Sequence, residues 1–127
     1  MTKAEASEKA WRLAYKGHFS LVEKLYHPDC KHFDHRVGLE VNLDMQSALM
    51  TAYENTTFGP FRVIYENEEF LCIQRYGRNR LTRETLYMTL ISGVNYRDKK
   101  IVRHETALED LDYDPSENQN WNWEDYK

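Results

Sequence analysis

The 127-residue sequence predicts an α+β domain, with helices first and an antiparallel meander after them. Three observations carry that expectation. Apolar residues recur at helical spacing through the first part of the chain. Beyond Gly59-Pro60 the chain alternates and fills with β-branched and aromatic residues. Turn residues then cut that second part into strand-length segments. Such an order lays helices over one face of a curled sheet.

The first helix is predicted from about residue 2 to residue 16. Ala6, Ala10, Trp11, Leu13, Ala14 and Tyr15 share one broad face, while Glu5, Glu8, Lys9, Arg12 and Lys16 take the other. Gly17 is the expected stop, because glycine accepts the left-handed conformation that ends many helices. Ser20 opens a shorter helix, with Glu23 at capping-box spacing and Pro28 ending it near Tyr26. Residues 30–34 read as a short strand between Pro28 and Gly38. A third helix is expected from about 44 to 55, with Met45, Ala48, Leu49, Ala52 and Tyr53 as its core stripe. Strands follow at 61–66, 70–76, 81–96 and 101–108. Glu66-Asn67-Glu68, Gly77-Arg78-Asn79 and Arg97-Asp98-Lys99 are the turns between them.

Composition narrows the function classes. Hydrophobic residues make up 41% and charged residues 30%, which suits one globular domain and not a disordered chain. No apolar run approaches the ~20 residues of a membrane helix, so no membrane partner is expected. MTKAEASEKAW lacks an apolar stretch of signal-peptide type, and the cytoplasm is the expected location. Cys30 and Cys72 form no metal or disulfide pattern and read as small core residues. The net charge is −4, yet residues 109–127 carry seven acids against one lysine, which leaves the first 108 residues at +2. No basic stripe stands out, so nucleic acid is not an expected partner. The tail, residues 112–127, is set apart from the 1–111 domain; it is acidic and Asn-rich but holds Trp121, Trp123 and Tyr126. It reads as a disordered extension or as a segment docked through its tryptophans.

Three local signals stand in order along the chain: the helix–Gly17–Phe19 turn into Leu21-Val22-Glu23-Lys24-Leu25-Tyr26, the following His27-Pro28-Asp29-Cys30, and the closing Arg97-Asp98-Lys99-Lys100-Ile101-Val102-Arg103-His104. Together they resemble the nuclear transport factor 2-like superfamily, in its SnoaL-like and ketosteroid-isomerase-like branches. The likeness covers about residues 4 to 110. It implies a cone-shaped, strongly curved, mostly antiparallel sheet of about six strands closed by three helices, and a homodimer is common in such folds. The fold alone does not name a reaction.

The site residues follow from alternation and from that resemblance. HPDCKHFDH, residues 27–35, holds three His, two Asp and one Cys. On a strand, Cys30, His32 and Asp34 take one face and Lys31 and Phe33 the other. The general-base aspartate of the isomerases matches Asp34. In the last strand Val102, His104, Thr106 and Leu108 are expected inward, and Ile101, Arg103, Glu105 and Ala107 outward. Asp34, His32 and His104 are therefore the catalytic candidates, an Asp bonded to a His raising the histidine's pKa for acid–base work. Trp11, Leu13, Tyr15, Tyr53, Met88, Leu90, Ser92 and Thr106 are the expected pocket residues. The isomerase oxyanion donors, a Tyr and a protonated Asp, match Ala10 and Ser92 here, which argues against steroid isomerisation. Two structural roles stand beside these. Asp34 can cap the turn into His35-Arg36-Val37-Gly38 or pair with an arginine, and the histidines can be satisfied polar groups in a wet cavity.

His32-x-Asp34 with a distant His104 also spells a two-His-one-carboxylate iron site. That pattern belongs to a jelly roll, and helices stand here where its strands belong; neither metal nor cofactor is expected. The leading reading is a protein that binds a small, largely apolar molecule in the cone, with isomerase, cyclase or dehydratase chemistry. The alternative is a non-catalytic binding or dimerisation module. The catalytic reading asks for an open cavity of roughly 300 Å³ or more with Asp34 in hydrogen-bond reach of a histidine.

Overall fold

The computed structural model describes residues 1–49 and 54–127. Its elements run α1 (Lys3–Tyr15), α2 (Ser20–Leu25), β1 (Tyr26–Asp34), β2 (Leu39–Val41), α3 (Leu43–Leu49), β3 (Thr56–Phe58), β4 (Arg62–Glu66), β5 (Phe70–Arg80), β6 (Thr85–Arg97) and β7 (Lys100–Leu111). Two 3-10 turns, Pro115–Asn118 and Trp123–Tyr126, end the chain. The seven strands form one sheet in the order β2-β1-β7-β6-β5-β3, with β4 also paired to β5. Only the β1–β7 pair is parallel. The sheet is α+β in character and open, with one strand more than about six.

Local chemistry explains most boundaries. The Thr2 hydroxyl accepts from the Glu5 N–H at 3.1 Å and caps α1, and Gly17 at φ +96° turns the chain away. Ala4, Ser7, Ala10, Trp11 and Ala14 form the buried stripe of α1, so Ala6 and Leu13 lie to its side. The expected Ser20 cap does not form. Phe19 precedes α2 with no side-chain bond, and Ser20 is already helical. Pro28 lies inside β1, where the pairing with β7 slips between Tyr26 and Lys31. An irregular stretch tolerates a residue with no N–H to donate.

Three further expectations are corrected. Gly77-Arg78-Asn79 is not a turn but the interior of β5, paired with Tyr87 and Met88. A Cβ on Gly77 would stand 3.0 Å from Met88 Cγ and 3.3 Å from Phe58 Cε1, so this glycine serves close packing. The turn instead falls at Leu81, whose N–H donates to the Glu84 carbonyl. On α3, Met45 and Ala48 are exposed while Gln46 is buried, so these two members of the expected stripe do not face inward. Ala52 and Tyr53 lie outside the described residues. Ile101 is fully buried, because a register shift after Asn95 leaves Val102 unpaired and resets the alternation of β7.

Two apolar clusters hold the helices to the sheet. The larger joins Trp11 and Ala14 of α1 to Val22, Tyr26, Leu71, Val94 and Ile101. The smaller contains Phe58, Met88 and Leu90, with Tyr15 and Leu108 against it. Cys30 belongs to the larger cluster, but Cys72 is only half-buried and so is not core; both are free. The β6–β7 turn holds Asp98 at φ +52° and Lys99 at φ +66°, both in the left-handed region.

The tail packs against the domain. Trp123 is buried, its ring 6.2 Å from Tyr87, and its indole N–H donates to Asp114 Oδ1 at 3.0 Å. Trp121 stacks toward Tyr76 and lies across Gly59, where a Cβ would fall 2.8 Å from its ring. The segment thus straps the free edge of β3, a position that otherwise presents unpaired backbone groups. No helix among the described residues is long and apolar enough to cross a membrane.

Candidate functional site

The parallel pairing of β1 with β7 sets His32 directly beside His104 and Asp34 beside Thr106. The two imidazoles stack with centroids 4.0 Å apart at 13°. They sit at the wall of a cavity of about 130 Å³ between α1, α3 and the sheet. Trp11, Tyr15, His32, Asp34, Leu90, His104 and Thr106 line it, together with Val37, Leu39, Val41, Gln46, Arg75 and Leu108. Val37 and Leu39 are each 59% exposed and form its rim. Met88 does not line the cavity; it is buried in the cluster with Phe58 and Leu90. Ser92 lies behind the wall, and Tyr53 falls outside the described residues. Leu13 is absent from the lining, consistent with its place beside the buried stripe of α1.

One hydrogen-bond network joins the polar residues. The Trp11 indole N–H donates to the Tyr26 hydroxyl at 3.2 Å, and that hydroxyl lies 2.6 Å from His104 Nδ1. His104 Nε2 and His32 Nε2 approach the Thr106 hydroxyl at 3.2 and 3.1 Å. Ser92 Oγ is 3.0 Å from Thr106 Oγ1 and accepts from Arg75 Nη1 at 2.9 Å. Trp11 and Arg75 can only donate, so the protons can be assigned from both ends. Tyr26 gives its proton to His104 Nδ1, and His104 carries its own on Nε2 toward Thr106. Ser92 also donates to Thr106. The Thr106 proton is then left for His32 Nε2, which places the His32 proton on Nδ1. This is the assignment that uses every hydroxyl proton.

Burial dominates the electrostatics. It lowers the His32 pKa against the opposing Asp34 carboxylate, and with Arg75 adding to the fall and Gln46 resisting it the net is about 4. Burial, then His32 and Arg75, takes His104 well below the usual imidazole range. Both rings are neutral at neutral pH. Asp34 does raise the His32 pKa, as expected, but desolvation outweighs the carboxylate and the net shift is downward. Asp34 Oδ1 accepts from the Arg36 N–H at 2.9 Å, the turn-capping role, and Asp34 has no arginine partner among the described residues. Its influence on His32 is through space.

Arg75 is the residue that sequence reasoning passed over. It is 6% exposed on β5 and lines the cavity, with its guanidinium 5.8 and 5.4 Å from the Phe58 and Phe61 rings. Tyr15 hydrogen-bonds to it, but Nε has no partner and no described carboxylate stands within ion-pair distance. Its parity with Leu71 and Ile73 was the available signal. Among the described residues no three His, Cys, Asp or Glu side chains converge as a metal site requires.

No family profile and no curated protein matches the chain by sequence. Solved structures do match in shape. An NTF2-like protein of unknown function from Cytophaga hutchinsonii superposes with a TM-score of 0.68 at 10% identity, covering 85% of this chain and 100% of that one. The chain has the nuclear transport factor 2-like fold. IdmH, a proposed polyketide cyclase from Streptomyces antibioticus, is similar at a TM-score of 0.66 and 13% identity, over 85% of this chain and 93% of its own. An epoxide hydrolase from M. tuberculosis, described as LEH-like, shares the fold at 0.59 and 12% identity, over 84% and 81%.

Proposed function

We propose that this NTF2-like chain binds a small, largely apolar molecule bearing one oxygen function, and moves a proton on it as an isomerase, cyclase or dehydratase does. The supporting observation is the Arg75 guanidinium, buried on the wall of the cavity that Asp34 also lines, with no carboxylate at ion-pair distance among the described residues. A buried cation lacking a counter-charge favours a ligand oxygen that is, or becomes, negative. In this reading Arg75 does the work for which Ala10 and Ser92 are unsuited. Asp34 takes the proton from the carbon, the oxygen's developing charge rests on Arg75, and neutral His32 orients the ligand beside Thr106. His104 has both nitrogens engaged and positions His32. A cavity of about 130 Å³ suits a ligand near the size of benzene, which an engineered ~150 Å³ cavity holds. A larger one requires the Val37 and Leu39 rim to part. A proposed polyketide cyclase and an LEH-like epoxide hydrolase share this fold, which supports the reading at the level of class.

Two observations favour the binding-module alternative, because the conditions set for the catalytic reading are not met: the cavity is about 130 Å³ against roughly 300 Å³, and Asp34 accepts from the Arg36 N–H and bonds no histidine among the described residues. Deuterium exchange separates the two. Small ketones and enones incubated with the protein in D2O should gain deuterium beside the carbonyl, followed by NMR. Asp34→Asn should slow this at least about 100-fold while ligand still binds, and Arg75→Gln should weaken binding. Ligands that bind the wild-type chain without any exchange would leave the module reading in place. A homodimer through the outer sheet face belongs to the same proposal, supported by outward Ile91, Ala107 and Tyr65, all exposed.

A further inference from the structure

We propose that the C-terminal strap completes a second binding site, a cationic cleft for the phosphate group of a small molecule. The cleft encloses about 370 Å³ between the end of α1, edge strand β3, the end of β5 and the last 3-10 turn. Among the described residues its wall shares only Tyr15 with the cone cavity.

Five cationic side chains line it: Arg12, Lys16, Arg78, Arg80 and Lys127. Glu54 is the one acid on the described wall. Two more carboxylates reach these cations from outside. Glu8 pairs with Arg12 at 2.9 Å, and Glu124 stands 3.9 Å from Arg78 and Arg80 and 3.0 Å from Lys127. Asp114 also acts on Arg78 through space, so one positive charge remains uncompensated. Arg12 is already committed, its Nη1 and Nη2 donating to the Phe58 and Gly59 carbonyls at 2.8 and 2.6 Å.

Arg78 points to a ligand. It is 5% exposed, yet its Nε and Nη2 make no hydrogen bond. The Trp123 ring covers it at 5.2 Å. Burial, and then the neighbouring Arg80, depress its pKa, so the charge is held at a cost. An anion in the cleft would add a partner to a guanidinium that has only Glu124, at 3.9 Å from Nη2, and the Trp123 ring. Phosphate fits better than a carboxylate here, because it offers three free oxygens to donors spread around the cleft. Tyr126, whose ring lies 4.9 Å from Arg12, gives the remainder of a phosphate ester a flat surface. The acidic tail thus contributes a wall, its tryptophan clamp and Lys127 to a site for an anion.

The test titrates inorganic phosphate, phenyl phosphate and succinate into the full chain at low salt, read by calorimetry and by the 15N shifts of the three tryptophan indoles. Phosphate should bind at about 1 mM or tighter, and chloride should weaken it. The Trp123 indole should move and that of Trp11, in the cone, should not. Arg80→Gln and Lys16→Gln change exposed side chains, so folding is preserved, and each should weaken phosphate several-fold. Arg78→Gln should weaken it about tenfold. Phenyl phosphate tighter than phosphate identifies an ester as the ligand, and equal affinity identifies free phosphate. No binding by about 10 mM, equal affinity in the Arg80→Gln and Lys16→Gln chains, succinate as tight as phosphate, or a shift at Trp11 instead would each overturn the proposal.

Discussion

His32 shows how one residue couples the site to stability. Its pKa is about 4 in the folded chain against an ordinary 6.5, so between these values the unfolded chain holds a proton that the native one refuses. Stability must therefore fall as pH drops from 6.5 to about 4, and level off for this group below that. At ~1.4 kcal/mol per pH unit the full loss is about 3 kcal/mol. Urea midpoints measured across that range should fall more steeply for the wild-type chain than for His32→Gln, and parallel curves would refute the burial argument. Little of this was legible beforehand. Alternation separated His32 and Asp34 from Lys31 and Phe33, because strand parity is a local property. The stacking of His32 on His104 depends on the β1–β7 register, which no local pattern encodes. Arg75 was hidden for another reason: a charge on an inward parity looks like an exception until the structure withholds its counter-ion.

At the scale of elements, turns and bulges decide where reasoning succeeds. The β6–β7 hairpin was placed correctly from its polar turn residues, but its backbone is unusual, with two non-glycine residues at positive φ. A left-handed conformation costs an ordinary residue about 1–2 kcal/mol. Lys99→Gly should raise the unfolding free energy by about 1 kcal/mol, seen as a higher urea midpoint at unchanged slope; an unchanged or lower midpoint would contradict it. Helix α1 was legible because its period spans several turns and Thr2 and Gly17 mark its ends. β2 and β3 were not, since three residues carry no period. The shift at Val102 reversed the predicted side of Ile101, as a single inserted residue must. Gly77 misled in the opposite sense, resembling a turn while serving contact with Met88.

For the whole molecule, the order of helices then meander was enough to anticipate the fold class, since it leaves few ways to cover a sheet. The proposed dimer rests on the surface and not on that order. Ile91 is 44% exposed on the outer face, between Gln74 and Ala107 of neighbouring strands. Sedimentation equilibrium should find a dimer for the wild-type chain and a monomer for Ile91→Asp, with circular dichroism unchanged. A wild-type monomer at all concentrations would remove the dimer from the proposal.

The parallel β1–β7 pair bears on how the chain reaches its shape. His32 and Thr106 are 74 positions apart, and pairs so distant close after the β5–β6 and β6–β7 hairpins, whose contacts are local. On a ribosome β1 emerges first and waits for β7, so the cone is the last region to assemble. A molecule bound there meets only the finished domain. It lengthens the life of the folded state and leaves the speed of folding as it was.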